Sequence, residues 1–251
     1  MITKNLHRIL FFDIETASNA PNYSLLESDL KSLWEHKAGY WLKSEQEKSD
    51  PDVFTDLYSK KAGIYAEFGK VVCISMGILL MEKNIIKELR LSSIFGEDEP
   101  KILSDFAKLT DKYFADPTND YLCGHNIKEF DVPFLSRRMI IHGVALPKML
   151  DNAGKKPWET LHLIDTMEMW KFGDYKNYTS LKLLAHVLGI PSPKDDIDGS
   201  MVSNVFWEEK NLERIRNYCE KDVKTTVQVF LKLNGLPVIE DDKISFSRKD
   251  K

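Results

Sequence analysis

The residues of this chain best suited to chemistry are acids set in apolar surroundings. In ILFFDIETAS, residues 9 to 18, Asp13 and Glu15 interrupt a run that otherwise reads as buried sheet. Side chains alternate along a strand, so the two carboxylates share one face with Ile9 and Phe11. On a buried face they repel each other, and each carries a desolvation cost that is relieved only by protonation or by a cation between them. The alternative is that the strand ends at Ile14 and both acids lie in solvated loop.

A second acid closes GHNIKEFD, residues 124 to 131. Asp131 stands just before Pro133 at a helix start, where an aspartate can also serve as a simple cap for free N–H groups. His125 and Asn126 end a strand and are open to a purely structural reading. The third group is YCEKD, residues 218 to 222. Leu212, Ile215, Cys219, Val223, Thr226 and Phe230 recur at three- and four-residue steps and define an apolar stripe. Asp222 lies on or beside that stripe, with Tyr218 one turn earlier on the same face. A boundary position, with Asp222 paired to a surface lysine, is the plainer alternative.

These residues need a sheet and helices to gather them. Residues 8 to 14 (RILFFDI) form a continuous apolar run closed by acids, the pattern of a central strand covered on both faces. Residues 71 to 80 and 85 to 91 read as two further strands joined by a turn at Lys83 and Asn84. Residues 99 to 115 have helical spacing with Pro100 in the first turn, and YLCGHN (121 to 126) is a short strand. Helix is expected again over 131 to 143, strand over 161 to 166, then helices over 178 to 190 and 211 to 233. Between the first two strands, residues 18 to 69 form an inserted, mainly helical excursion, with Leu26, Leu30, Leu33 and Trp34 at helical spacing. Its aromatics, Trp34, Tyr40, Trp41, Tyr58 and Tyr65, read as packing. The order implies an α/β fold with one mixed five-stranded sheet flanked by helices, a single domain over 1 to 237 and a charged tail from 238 to 251 that frays.

Bulk properties name no function but exclude some. The 251 residues are 43% hydrophobic and 29% charged, ordinary for a globular chain, and the net charge of -4 argues against a protein that coats nucleic acid through its overall field. Cys73, Cys123 and Cys219 make neither a zinc pattern nor a disulfide framework. No apolar run approaches a membrane span and MITKNLHRIL lacks a signal-type apolar core, so a cytoplasmic protein with no membrane partner is expected.

Taken together, DIET, GHNIKEFD and YCEKD resemble the three motifs of the DEDD exonuclease superfamily, and the spacing of Tyr218 to Asp222 matches its tyrosine branch. The histidine branch would carry its histidine at position 217, where this chain has Asn217. More narrowly, the chain resembles stand-alone exonucleases related to the proofreading domain of family B DNA polymerases, over about residues 7 to 233, including LGIPSPKDDIDGS (188 to 200). The resemblance implies a ribonuclease H-like fold and removal of nucleoside 5′-monophosphates from the 3′ ends of single-stranded nucleic acid, with DNA favoured over RNA. It also implies two Mg²⁺ or Mn²⁺ ions held by Asp13, Glu15, Asp131 and Asp222, with Tyr218 orienting the attacking water. Oxygen-only ligands suit those ions. The backbone beside Ile14 and Thr16, together with Asn126 and Phe130, is expected near the terminal nucleotide; core packing is the alternative for Phe130. Arg137 and Arg138 are candidates for phosphate or simply solvated. Competing functions are a catalytically inactive nucleic-acid-binding module of the same fold, an endonuclease and a metal-stabilised structural domain. Oligomeric state is open.

Overall fold

The computed structural model describes residues 5–48, 50, 52–174, 178–191 and 196–247. Part of the 188 to 200 segment, residues 192–195, and the last four residues of the tail therefore lie outside the described residues. Among the described residues, six strands form one mixed sheet: β1 (Ile9–Ser18), β2 (Gly69–Glu82), β3 (Ile85–Phe95), β4 (Tyr121–Gly124), β5 (Leu163–Asp165) and β6 (Ile244–Phe246), in the order β5-β4-β1-β2-β3-β6. The β1–β2 and β2–β3 pairs are antiparallel, whereas β4 joins β1, β5 joins β4 and β6 joins β3 in parallel. Lys83 and Asn84, both at positive φ (48° and 66°), make the tight turn between β2 and β3.

The sixth strand corrects the expectation of five. Residues 244–246 lie in the tail expected to fray, yet they pair with Leu89–Leu91, and the Ser245 hydroxyl donates to Glu88. Three residues flanked by charge carry too little alternation to announce a strand.

Three helices, α1 (Ser28–Gly39), α2 (Glu45–Lys48) and α3 (Val53–Lys61), occupy the segment between β1 and β2. They close over a cluster of their own, in which Trp34 and Tyr58 are fully buried and meet edge to face with centroids 5.3 Å apart. Tyr40 points outward instead, at 76% exposure, so of the aromatics expected to pack it does not; Leu33 of α1 is exposed as well. The remaining helices are α4 (Glu99–Tyr113), α5 (Asp131–Ile141), α6 (Thr166–Lys171), α7 (Leu181–Val187), α8 (Val202–Trp207) and α9 (Leu212–Leu233). No described helix is long and apolar enough to cross a membrane.

Strand alternation divides the core. Leu10, Phe12 and Ile14 pack with Phe106 of α4 and Phe134 of α5, while Ile9 and Phe11 pack with Val223, Val227 and Phe230 of α9. The Phe11 and Phe230 rings meet edge to face at 5.3 Å, a pair worth ~0.5–1.5 kcal/mol beyond the area it buries. Asp13 and Glu15 therefore continue the face that lies against α9.

Candidate active site

Both acids of β1 are within the strand, Asp13 opposite Ser75 and Glu15 opposite Cys73, with an irregularity in register just after Glu15. The solvated-loop alternative is thus excluded. Asp13 is half-buried and Glu15 buried. On the facing helix, the Cys219 thiol donates to Asp13 through both its carbonyl oxygen and Oδ2, each at 3.4 Å, and one donor atom from each of Asp13, Glu15 and Cys219 lies within 4.8 Å of the others.

Asp131 arrives from the other side of β1. Strand β4 stops at Gly124, paired no further than Phe11↔Cys123, which leaves the edge of β1 beyond it open. The Ile14 N–H points there and donates to Asp131 Oδ1 at 3.1 Å. Asp131 makes no capping bond as N-cap of α5; that position belongs to Phe130, which caps with no side chain. The turn from β4 toward α5 demands glycine at 124, because a Cβ there would sit 1.8 Å from Ile127 Cγ2 and 2.9 Å from the Phe12 carbonyl.

Asn126 takes a left-handed conformation (φ 64°), and the carboxylate of Asp165 holds it there. Asp165, buried at the end of β5, accepts from Asn126 N at 2.9 Å, Lys128 N at 3.2 Å and Met167 N at 2.9 Å, so one acid both caps α6 and pins the GHN turn. His125 bridges Thr166 Oγ1 and the Thr179 carbonyl, a structural role; burial lowers its pKa, so it stays neutral and donates to that carbonyl. The Asn126 Oδ1 is buried without a partner among the described residues. Phe130 is half-buried against Phe134, with centroids 5.5 Å apart, so part of its ring serves the core.

Helix α9 brings Tyr218 and Asp222 on successive turns, with the phenol hydrogen-bonded to Asp222. Both line a cleft of about 400 Å³ whose other walls are Ser180, Leu181 and Lys182 at the start of α7 and Asp196 to Asp198 and Met201 before α8.

The electrostatics follow from this crowding. Burial pushes the Asp13 carboxyl well above its ordinary value, and repulsion from Asp131 and Asp222 adds to it. Burial likewise raises Glu15, helped by Asp13 and Asp222. Asp131 is raised by burial to about 7 even though the Ile14 N–H pulls it down. Burial and the charges of Asp222, Glu15 and Asp13 push the Tyr218 phenol far up, so it remains a donor at any physiological pH. These acids of β1, α5 and α9 are thus within electrostatic reach of one another, and the charges that act on Asp13, Glu15 and Asp131 are all negative among the described residues. That is the demand a divalent cation meets, and the carboxylate oxygens are its preferred donors.

Arg138 does not belong to this site. It is buried, binds Glu99 through two bonds of 2.8 and 2.6 Å, and donates to the Ala66 carbonyl. A buried ion pair of this kind ties α4 to α5, which helical spacing alone could not reveal. Arg137 is exposed. Sequence reading also passed over Cys219, which looked like an ordinary member of the apolar stripe, and Asp165, whose one available signal was an acid closing a short strand ahead of a helix.

Comparisons with known proteins bear on the family and the fold. Residues 64–240 match the family described as "Predicted 3'-5' exonuclease related to the exonuclease domain of PolB", a match that includes Asp131, Tyr218 and Asp222 and begins after Asp13 and Glu15. A DNA polymerase of Archaeoglobus fulgidus is 30% identical over 140 residues, covering 53% of this chain and 17% of that polymerase. The structure of the family B DNA polymerase from Pyrobaculum calidifontis superposes with a TM-score of 0.51 at 17% identity, over 89% of this chain and 24% of that one, which shows a shared fold over that length. The chain thus spans a quarter or less of the length of each of these polymerases. With more than half of its residues matched, the chain belongs to the family of predicted 3′–5′ exonucleases related to the polymerase B exonuclease domain.

Proposed function

We infer that this protein is a metal-dependent 3′–5′ exonuclease that hydrolyses phosphodiester bonds at the 3′ end of single-stranded nucleic acid and releases nucleoside 5′-monophosphates. What supports the reading is the electrostatic coupling of these acids: burial raises Asp13, Glu15 and Asp131, and Asp222 adds to the rise of Asp13, Glu15 and the neighbouring Tyr218. DNA is the favoured substrate, in keeping with the name of the Archaeoglobus relative. The unpaired thiols of Cys73, Cys123 and Cys219 suit a reducing, cytoplasmic setting.

Asp13, Glu15, Asp131 and Asp222 would hold two divalent ions, Mg²⁺ or Mn²⁺, which when bound acidify a water and neutralise charge developing on the phosphate. The chain supplies the rest. The Ile14 N–H fixes the Asp131 carboxylate, and the Cys219 thiol fixes that of Asp13. Tyr218, held protonated, orients the attacking water and cannot act as the base. Asn126, aimed by its left-handed backbone, and the exposed part of Phe130 engage the terminal nucleotide, with the backbone of Ile14 and Thr16 alongside. Stacking on Phe130 is tolerant of sequence, as removal of successive nucleotides requires.

A 5′-labelled single strand incubated with Mg²⁺ or Mn²⁺ tests this. Products should shorten one nucleotide at a time from the 3′ end and vanish in chelator. Internal cuts would make the protein an endonuclease, and binding without cleavage would make it an inactive module.

A further inference from the structure

A second and larger concavity, about 980 Å³, opens on the other side of α5 from the carboxylates, between that helix, the 150–160 segment and α6. Lys128, Arg137, Lys155 and Lys171 line it. Glu168 neutralises Lys128 at 2.6 Å, and Glu129 and Asp174 also face the cavity, so three cations stand against two acids. Two largely exposed aromatics stand next in sequence to residues that line it. Trp158 follows the lining residue Pro157 and is 65% exposed, with Lys156 Nζ 5.0 Å from its ring centre. Phe172 follows the lining residue Lys171 and is 87% exposed. Its backbone is left-handed (φ 44°), a conformation that disfavours any residue with a Cβ. A phenylalanine that is both strained and solvated gains nothing from folding.

Cations interleaved with unstacked aromatic faces are the chemistry that takes single-stranded nucleic acid: amines meet phosphates and rings meet bases regardless of sequence. The cavity adjoins the carboxylate site at the start of α5, where its lining residues Glu129 and Val132 flank Phe130 and Asp131. Helix α5 begins with Asp131 and presents Pro133 and Arg137 to the cavity, and α6 begins just after Asp165, which pins the GHN turn. We propose that this groove, through Trp158, Phe172, Arg137, Lys155 and Lys171, binds the part of the substrate strand that lies 5′ of the terminal nucleotide. The inference rests on the exonuclease reading of the adjoining site, and it adds a reason for the enzyme to prefer strands longer than a dinucleotide.

Binding is measured by fluorescence anisotropy in chelator, so that no cleavage occurs, using a labelled oligothymidylate of about 12 nucleotides and a labelled thymidylyl dinucleotide. Trp158→Ala and Phe172→Ala, each confirmed folded by circular dichroism, should weaken the long oligonucleotide by about tenfold apiece and the dinucleotide far less. Lys155→Ala with Lys171→Ala should reduce the slope of log affinity against log salt by about 1.4, or ~0.7 per lost phosphate contact. Unchanged affinity for the long strand, or equal losses for both lengths, overturns the proposal. So does concentration-dependent self-association that Trp158→Ala abolishes without altering oligonucleotide affinity, since a second copy of the chain would then be the occupant. If the expected binding pattern holds but the wild-type protein cleaves nothing under Mg²⁺ or Mn²⁺, the exonuclease reading fails and the groove stands.

Discussion

At the scale of single residues, the site is a set of acids kept in unfavourable company. Asp13 and Glu15 share a strand face, and the same packing that buries Phe11 against α9 brings Asp222 toward them. Tyr218 is bonded to Asp222 and cannot ionise, so its contribution is geometric. Tyr218→Phe should therefore lower kcat by about 10–100-fold, the range of a misplaced reactant, whereas Asp13→Ala should bring it below detection. Equal losses in single-turnover assays would contradict that division. DIET, GHNIKEFD and YCEKD singled out Asp13, Glu15, Asp131, Tyr218 and Asp222 through their joint resemblance to an exonuclease family, whereas each acid read alone left a structural alternative open. Cys219 was not legible, because a thiol on an apolar stripe is ordinary core and its contact with Asp13 exists only across 206 residues of chain.

Between elements, two buried acids do structural work that no local pattern displays. Asp165 collects N–H groups from the GHN turn and from α6. Asp165→Ala would leave them buried without an acceptor, at ~1–3 kcal/mol for each group not rescued by water. Asp165→Asn keeps the volume and one acceptor, and because it acts through Asn126 it should raise KM more than it lowers kcat. Steady-state kinetics with an unaltered KM would show that the turn does not need this carboxylate. Glu99 is the second case. Burial pushes its carboxyl up, but Arg138, the Val71 N–H and His142 more than offset that and leave it below the usual glutamate range. The sign is that of a depressed acid: its stabilisation is present above the unfolded glutamate value of about 4.3 and is lost as pH falls through the lower folded value. Replacing it by Ala strands Arg138 among α4, α5 and the Ala66 carbonyl, and should cost about 3–5 kcal/mol in urea unfolding at neutral pH. A loss below 1 kcal/mol would mean the pair is solvated. The longer strands and helices nearest the motifs were readable from periodicity and the short β4 and β5 from their apolar runs; α6, α8 and β6 have three to six residues, too few to show a period, and were missed.

For the whole molecule, the clustered acids make the metal-free protein a compromise between folding and function. Asp131 titrates near 7 in the fold, against about 3.9 for an unfolded aspartate, and Asp13 and Glu15 are shifted the same way. Such groups favour the native state while protonated, so their contribution is present below about pH 4 and declines as pH rises toward 7. In chelator the melting temperature should fall over that upper range, and Asp131→Asn, which keeps an acceptor for the Ile14 N–H, should flatten the decline. A melting temperature independent of pH in the wild type, with Asp131→Asn indistinguishable from it, would show the carboxyls to be solvated.

Bound cations must relieve the same repulsion, which makes a calorimetric Mn²⁺ titration near pH 7, repeated in two buffers of different ionisation enthalpy, the most direct test of the site. Two ions should bind per chain with release of protons from the carboxyls, and Asp13→Asn, still folded, should lose most of that binding. If the wild-type protein takes up no Mn²⁺, or Asp13→Asn takes it up as well as the wild type does, strands and helices have not gathered a metal centre and the nuclease reading falls.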